Sequence, residues 1–300
     1  MENWLLSFNL NKTASHPDNS FNTTIMKYIL LFSCLFISFI SNAQTCCAPT
    51  TTEQYAMNGA KAAFRNAHDE PLPYKHFSVE GKDISFKTPD GTDGHAWFLP
   101  AKSKSNYYLF VIHEWWGLND HIKKESEKMW NDFGFNVIAL DLYDQKVATT
   151  REEAGAVMQA LKTERAVSII QGALNYAGKS ANIFTIGWCF GGGWSLQTGL
   201  LAGPQLAGTI MFYGQPEKDV EKLKTLNADV IGFFGNRDQW PSPAMVDEFR
   251  ENMQKAGKTL LLNRYEADHG FANPSNPKFD TAATADSYQK LSAFIRERMK

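Results

Sequence analysis

Four side chains that could together run acyl-transfer chemistry each sit in a short polar or glycine-rich stretch that follows an apolar run. Cys189 lies in Gly187-Trp188-Cys189-Phe190-Gly191, His269 in Ala267-Asp268-His269-Gly270-Phe271, Asp238 in Gly235-Asn236-Arg237-Asp238, and Glu114 in His113-Glu114-Trp115-Trp116-Gly117. A protonated thiol is a weak nucleophile, so it needs a base within hydrogen-bond reach. The base in turn needs an acid that fixes its tautomer and stabilises its charged form. Cys189, Asp238 and His269 occur in the chain order nucleophile, acid, histidine. The G-x-C-x-G spacing supports this reading. A side chain at a sharp strand-to-helix turn leaves no room for Cβ atoms two residues before and two after, and Gly187 and Gly191 supply that room. The Phe190 amide and the first turn of the following helix then face whatever Cys189 attacks, as oxyanion donors and as a positive dipole end that favours thiolate.

Plainer readings compete at each position. A lone cysteine closing an apolar strand can be a small core residue. The glycine cluster could cradle a phosphate, but Leu196 stands where the last glycine of G-x-G-x-x-G belongs and Gly193 replaces the P-loop lysine. His269 could be a solvated loop histidine and Glu114 a surface carboxylate. Asp238 could cap the next helix, leaving Asp268 or Asp141 as the acid.

The elements that must position these groups follow from periodicity. Thr51 to His68 is rich in helix formers up to the Glu70-Pro71 break. His76–Glu80, Ile84–Lys87 and His95–Leu99 alternate as edge strands, with Pro89-Asp90-Gly91 a turn. Tyr107–Ile112 is a continuous apolar run, the mark of a strand covered on both faces; Val137–Leu140, Ile183–Trp188, Leu206–Tyr213 and Val230–Phe234 are further apolar strands, and Thr259–Tyr265 is the last strand. Helical faces lie between them. One opens at Asn119 or Asp120 and ends at Gly134, two more run up to Gly178, and another starts at Ser242-Pro243 and runs to Ala256-Gly257; a last one begins near Ala282. Alternating strands and helices predict an α/β class, a mostly parallel sheet in three layers, with function gathered beyond the C-terminal strand ends.

The chain has 300 residues and a formal net charge of −2, and no basic run suggests nucleic acid or an anionic membrane as partner. The expected partner is a small molecule. Met26-Lys27, the apolar Tyr28–Ile40 and Ser41-Asn42-Ala43 have the form of a secretory signal peptide covering 26–43, cleaved before Gln44. Residues 1–25 then read as an extension or a misassigned start. Export to the periplasm or beyond would follow, without stable membrane insertion, and would leave Cys46, Cys47 and Cys189 in the mature chain; residues 44–75 form a tail and helix ahead of a single domain at 76–300. The sequence leaves the state of Cys46 and Cys47 and the oligomeric state open.

His113-Glu114-Trp115-Trp116-Gly117, Asp141-Leu142-Tyr143, Gly187-Trp188-Cys189-Phe190-Gly191-Gly192, Asn236-Arg237-Asp238 and His269-Gly270-Phe271, in this order, resemble the dienelactone hydrolases, a cysteine-nucleophile branch of the α/β-hydrolase fold. The resemblance runs from about Phe77 to the C-terminus. It implies that Glu114 contacts the cysteine and helps produce its thiolate when substrate binds, and that the Trp115 and Phe190 amides form an oxyanion hole. It also implies an arginine a few residues after the histidine as a clamp for a substrate carboxylate. Here that position holds Asn273, and Arg151 is only a weak match for a second such arginine. Without the clamp, an apolar or aromatic ester or lactone is the expected substrate, met by Trp116, Trp188 and Phe271. No cluster in the sequence has metal-ligand spacing, so neither a metal nor an organic cofactor is expected. The reading is thus an ester or lactone hydrolase with a Cys189-His269-Asp238 triad and a thioester intermediate. The alternative is a non-catalytic binding or redox-sensing protein that keeps the fold.

Overall fold

The computed structural model describes residues 50–299. The expected extension at 1–25, the expected signal peptide at 26–43, Cys46 and Cys47 lie outside the described residues. An eight-stranded sheet organises the rest: β1 (Lys82–Phe86), β2 (Gly94–Leu99), β3 (Tyr107–Ile112), β4 (Asn136–Asp141), β5 (Asn182–Trp188), β6 (Leu206–Phe212), β7 (Val230–Gly235) and β8 (Leu260–Tyr265), in the order β1-β2-β4-β3-β5-β6-β7-β8. The pairs β1–β2 and β2–β4 are antiparallel and every other pair is parallel. The continuous apolar runs of β3, β4 and β5 are the buried centre of this sheet, with Leu109, Phe110, Val137, Ile138, Phe184 and Ile186 sealed from solvent.

Helix α1 (Thr51–Ala60) and the short α2 (Ala62–Asn66) precede the sheet; α3 (Asp120–Phe133), α4 (Arg151–Ala160), α5 (Thr163–Ala177), α6 (Phe190–Ala202), the single turn α7 (Val220–Leu223), α8 (Pro243–Lys255) and α9 (Thr281–Arg298) follow in the connections. The signals read from sequence are the ones used. Asn119 caps α3 through its side chain on the Ile122 amide, Gly134 closes it with φ 75°, and Ser242 caps α8 ahead of Pro243. Right-handed crossovers running one way from β3 to β4 and the other way from β4 to β5 put α3 and α5 on opposite faces. The strand order therefore reverses beside β3, and a crevice opens over the ends of β3 and β5. Glu114 and Cys189 follow those two strands.

Two expectations change. His76–Glu80 pairs with no strand: the His76 amide bonds Asp120 of α3, its ring meets Glu127, and Ser78 also bonds Glu127. The alternation is real, since Phe77 and Val79 point outward at 84 and 98 % exposure, but the inward residues are held by side chains of α3 rather than by a ladder. The stretch from Thr51 to His68 is also two helices rather than one. The chain turns extended at Lys61, and the Arg65 guanidinium takes the carbonyls of Gly59 and Ala60 that a continuous helix would have used. Among the described residues, no helix is long and apolar enough to cross a membrane.

Candidate active site

The turn between β5 and α6 is as tight as the glycine spacing requires. A Cβ on Gly187 would stand 2.1 Å from the Gly191 carbonyl oxygen, and one on Gly191 would stand 2.2 Å from that of Ile112. Cys189 itself has φ 54° and ψ −118°, a conformation that L side chains rarely adopt and that costs of order 1–3 kcal/mol. Its amide is tied to the Phe212 carbonyl of β6, and its carbonyl accepts from Gly192 and from the Tyr55 hydroxyl at 2.9 Å. The backbone on all sides therefore fixes the direction of the thiol, which is buried and unpaired.

His269 and Asp238, thirty-one residues apart, meet at 2.7 Å between Nδ1 and Oδ2, and the other carboxylate oxygen of Asp238 accepts the Trp240 amide. Asp268 instead pairs with Arg237 near the surface, and Asp141 accepts the Tyr143 and Gln145 amides, so neither alternative acid meets the ring. With Nδ1 committed to the carboxylate, Nε2 of His269 is left to face the sulfur, within 4.8 Å of it, and the contact between the two side chains lowers the thiol pKa and raises that of the ring. Burial pushes the Cys189 thiol above its ordinary pKa, partly offset by the His269 charge and by the Phe190 amide directed at Sγ. Burial opposes charge on His269 too, but Asp238 and the nearby sulfur outweigh it and raise the ring well above its ordinary value. His269, drawn up by Asp238, is thus the stronger base of the pair and the group placed to take the thiol proton.

Glu114 lies against this cavity, but its Oε2 accepts from Asn273 Nδ2 at 2.7 Å. Burial raises its pKa to about 7 against the opposing pull of His269 and Asn273. Asn273, at the position where the resemblance implies an arginine, thus holds the very carboxylate that the family uses. Arg151 pairs with Asp69 and lies outside the cleft. Trp115 and Trp116 line the cleft with Cys189 and His269, and Trp188 lines an adjoining groove with Glu114, Ile122, Ala272 and Asn273. Phe271 lines neither. Its ring is fully buried against Tyr213, Tyr265 and Phe212, so its place is the core rather than the substrate surface.

The group that the sequence reading missed is His68. It follows α2, its Nδ1 donates to the Phe64 carbonyl at 2.7 Å, and its Nε2 stands 3.5 Å from Cys189 Sγ. Its ring packs on Phe64, Trp115 and His269, and burial, then the neighbouring His269, lowers its pKa well below the ordinary histidine value. Residues 51–68 therefore roof the nucleophile, with Tyr55 bridging the Cys189 carbonyl and the Gln215 amide beneath. Helix-forming residues and the break before Pro71 marked this stretch in sequence, and nothing there separates His68 from a histidine on a solvated helix end.

The sequence profile of the dienelactone hydrolase family matches residues 97–299. This chain belongs to the dienelactone hydrolase family. A Saccharolobus solfataricus protein provisionally named a carboxymethylenebutenolidase is 26% identical over 259 residues, covering 72% of this chain and 98% of that one. Carboxymethylenebutenolidase 1 of Cupriavidus pinatubonensis is 26% identical over 191 residues, covering 59% and 80%. Among solved structures, a dienelactone hydrolase-like promiscuous phosphotriesterase from metagenomic libraries superposes with a TM-score of 0.62 at 21% identity, covering 72% of this chain and 98% of that one. The fold is that of these proteins, and this dienelactone hydrolase family member is an ester or lactone hydrolase. His68 and Tyr55 lie upstream of the family match.

Proposed function

We propose that the protein opens a carboxylic ester or lactone through a thioester on Cys189. The carrying observation is the convergence of the thiol, the His269 imidazole and the Asp238 carboxylate at the strand ends, with Nδ1 already spent on the carboxylate. His269 takes the thiol proton as sulfur attacks the carbonyl carbon, and Asp238 stabilises the imidazolium so formed. The Phe190 and Trp115 amides stabilise the oxyanion. The imidazolium returns its proton to the departing oxygen. Water then gives a proton to the same base and attacks the thioester, and the imidazolium returns that proton to the departing sulfur as the acid is released. When substrate displaces Asn273 from Glu114, the freed carboxylate helps draw the proton off sulfur.

The cleft favours uncharged, apolar or aromatic esters. Trp115 and Trp116 wall it, Trp188 flanks the adjoining groove, and Asn273 replaces the arginine clamp. Export through a signal ending at Ala43 is part of the same proposal, checked by whether the mature protein begins at Gln44.

Mixing with a small activated ester should give a burst of alcohol release and an acyl adduct on Cys189 by mass spectrometry. His269→Ala should lose both, with turnover down roughly 10⁴-fold or more. Absence of turnover over a broad ester and lactone panel would sink the proposal.

A further inference from the structure

The proposed hydrolysis uses one imidazole, yet two face the sulfur. Cys189 Sγ, His68 Nε2 and His269 Nε2 all lie within 4.8 Å of one another and all three residues are buried. The separation of Sγ from His68 Nε2 is 3.5 Å. An ion with metal–sulfur and metal–nitrogen bonds of about 2.3 and 2.0–2.1 Å has a tetrahedral sulfur–nitrogen edge of about 3.5 Å, so that edge is already set.

The outer contacts point the same way. His68 gives its Nδ1–H to the Phe64 carbonyl and His269 gives its own to the Asp238 carboxylate. A ring whose far N–H is held by a carbonyl or carboxylate presents its other nitrogen as a lone pair in a fixed direction, the arrangement that surrounds metal-bound histidines. Two such lone pairs converge on a thiol that has one proton to offer, so only one of them can accept it at a time. The sequence showed no such spacing because His68 is 121 residues from Cys189.

We propose that Cys189, His68 and His269 bind a zinc-class divalent cation, which switches the enzyme off reversibly. Thiolate, thiol-softened geometry and two neutral imidazoles select zinc-like ions over magnesium or calcium. Binding releases one proton to solvent, the thiol's own or the same proton resting on His269. The bound ion occupies both the nucleophile and the lone pair of the base, so attack and proton transfer stop together. Water completes the coordination. The inhibitory half rests on the hydrolase reading, whereas the binding half does not.

The test uses the full chain, stripped of metal and titrated with Co²⁺, then with Zn²⁺ in competition. The expected result is a thiolate-to-cobalt charge-transfer band with the intense visible bands of a four-coordinate site, appearing with one proton released per Co²⁺ bound and displaced by Zn²⁺ without further proton release. The band should vanish in Cys189→Ser, which keeps Cys34, Cys46 and Cys47. Binding should weaken roughly 100-fold or more in His68→Ala, a direct ligand costing at least what an outer-shell partner does. His68→Gln, with a thermal melt, serves where His68→Ala folds poorly. Turnover of an activated ester should fall with occupancy and return with a chelator. No band, or a band indifferent to Cys189→Ser or to both His68 variants, overturns the site. A cobalt band in a protein that never turns over esters would fail the hydrolase reading and the switch while leaving the site standing; turnover without a band does the reverse.

Discussion

The elbow that carries Cys189 is held by backbone, whereas the N-terminal roof that carries His68 is held by side chains. At the elbow, Gly187 and Gly191 approach neighbouring carbonyls so closely that no Cβ fits, and the Cys189 amide joins the sheet through Phe212. Over it, the roof rests on Phe64 against Trp115 and Trp240, on Lys61 over the Trp240 ring, and on the two hydrogen bonds of the Tyr55 hydroxyl. Backbone constraint demands particular residues at fixed offsets. Side-chain packing accepts many solutions and so leaves no local signature. His68 is the part of the roof that lines the cleft, whose volume is about 10 Å³, near the lower limit for one water. Layers with few backbone ties are the ones that open at low cost.

The comparison breaks most visibly at the elbow's partners. Asp238→Asn leaves the shape of the site but removes the charge that holds the His269 tautomer, so kcat should fall roughly 10³- to 10⁴-fold with little change in KM. A drop below tenfold in steady-state assays would mean that another acid serves the ring. The seam between the two regions comes next. Glu114 has its folded pKa raised to about 7 from an ordinary 4.5, so it adds stability that is full below about pH 4.5 and lost as pH climbs through 7. Wild type should therefore lose about 3 kcal/mol between pH 4.5 and 8 from this group. Urea unfolding of Glu114→Gln should lack that loss; parallel pH curves for the two proteins would show the carboxylate to be solvated. The smallest effect belongs to the roof. Tyr55→Phe leaves the Gln215 amide without its partner and the Cys189 carbonyl without one of its donors, and should cost about 2 kcal/mol in denaturant unfolding. Hydrogen exchange should rise over residues 51–68 before it rises in β5, and a simultaneous rise would place roof and elbow in one cooperative unit.

The legibility of the site follows the same division. Gly187, Cys189 and Gly191 were readable because a strand-to-helix turn excludes side chains at two exact offsets. Asp238 and His269 were readable because apolar strands end just before them. Asn273 was noticed only as a missing arginine, and its bond to Glu114 needed two loops to meet across 159 residues. Phe271 was drawn to the substrate surface by its place two residues after His269, but the chain turns at Gly270, whose φ is 78°, and the ring fills the core between Tyr213 and Tyr265.

The amino-acid order by itself determined the strand and helix sequence, the mostly parallel sheet and the identity of the elbow, because these rest on periodicity and on steric exclusion within a few residues. Only the tertiary structure decided that a helix from outside the family match lies over the thiol, that His68 joins His269 there, and that Asn273 holds Glu114. Those contacts join residues more than a hundred positions apart, where burial and packing select the partner and local sequence carries no record of it.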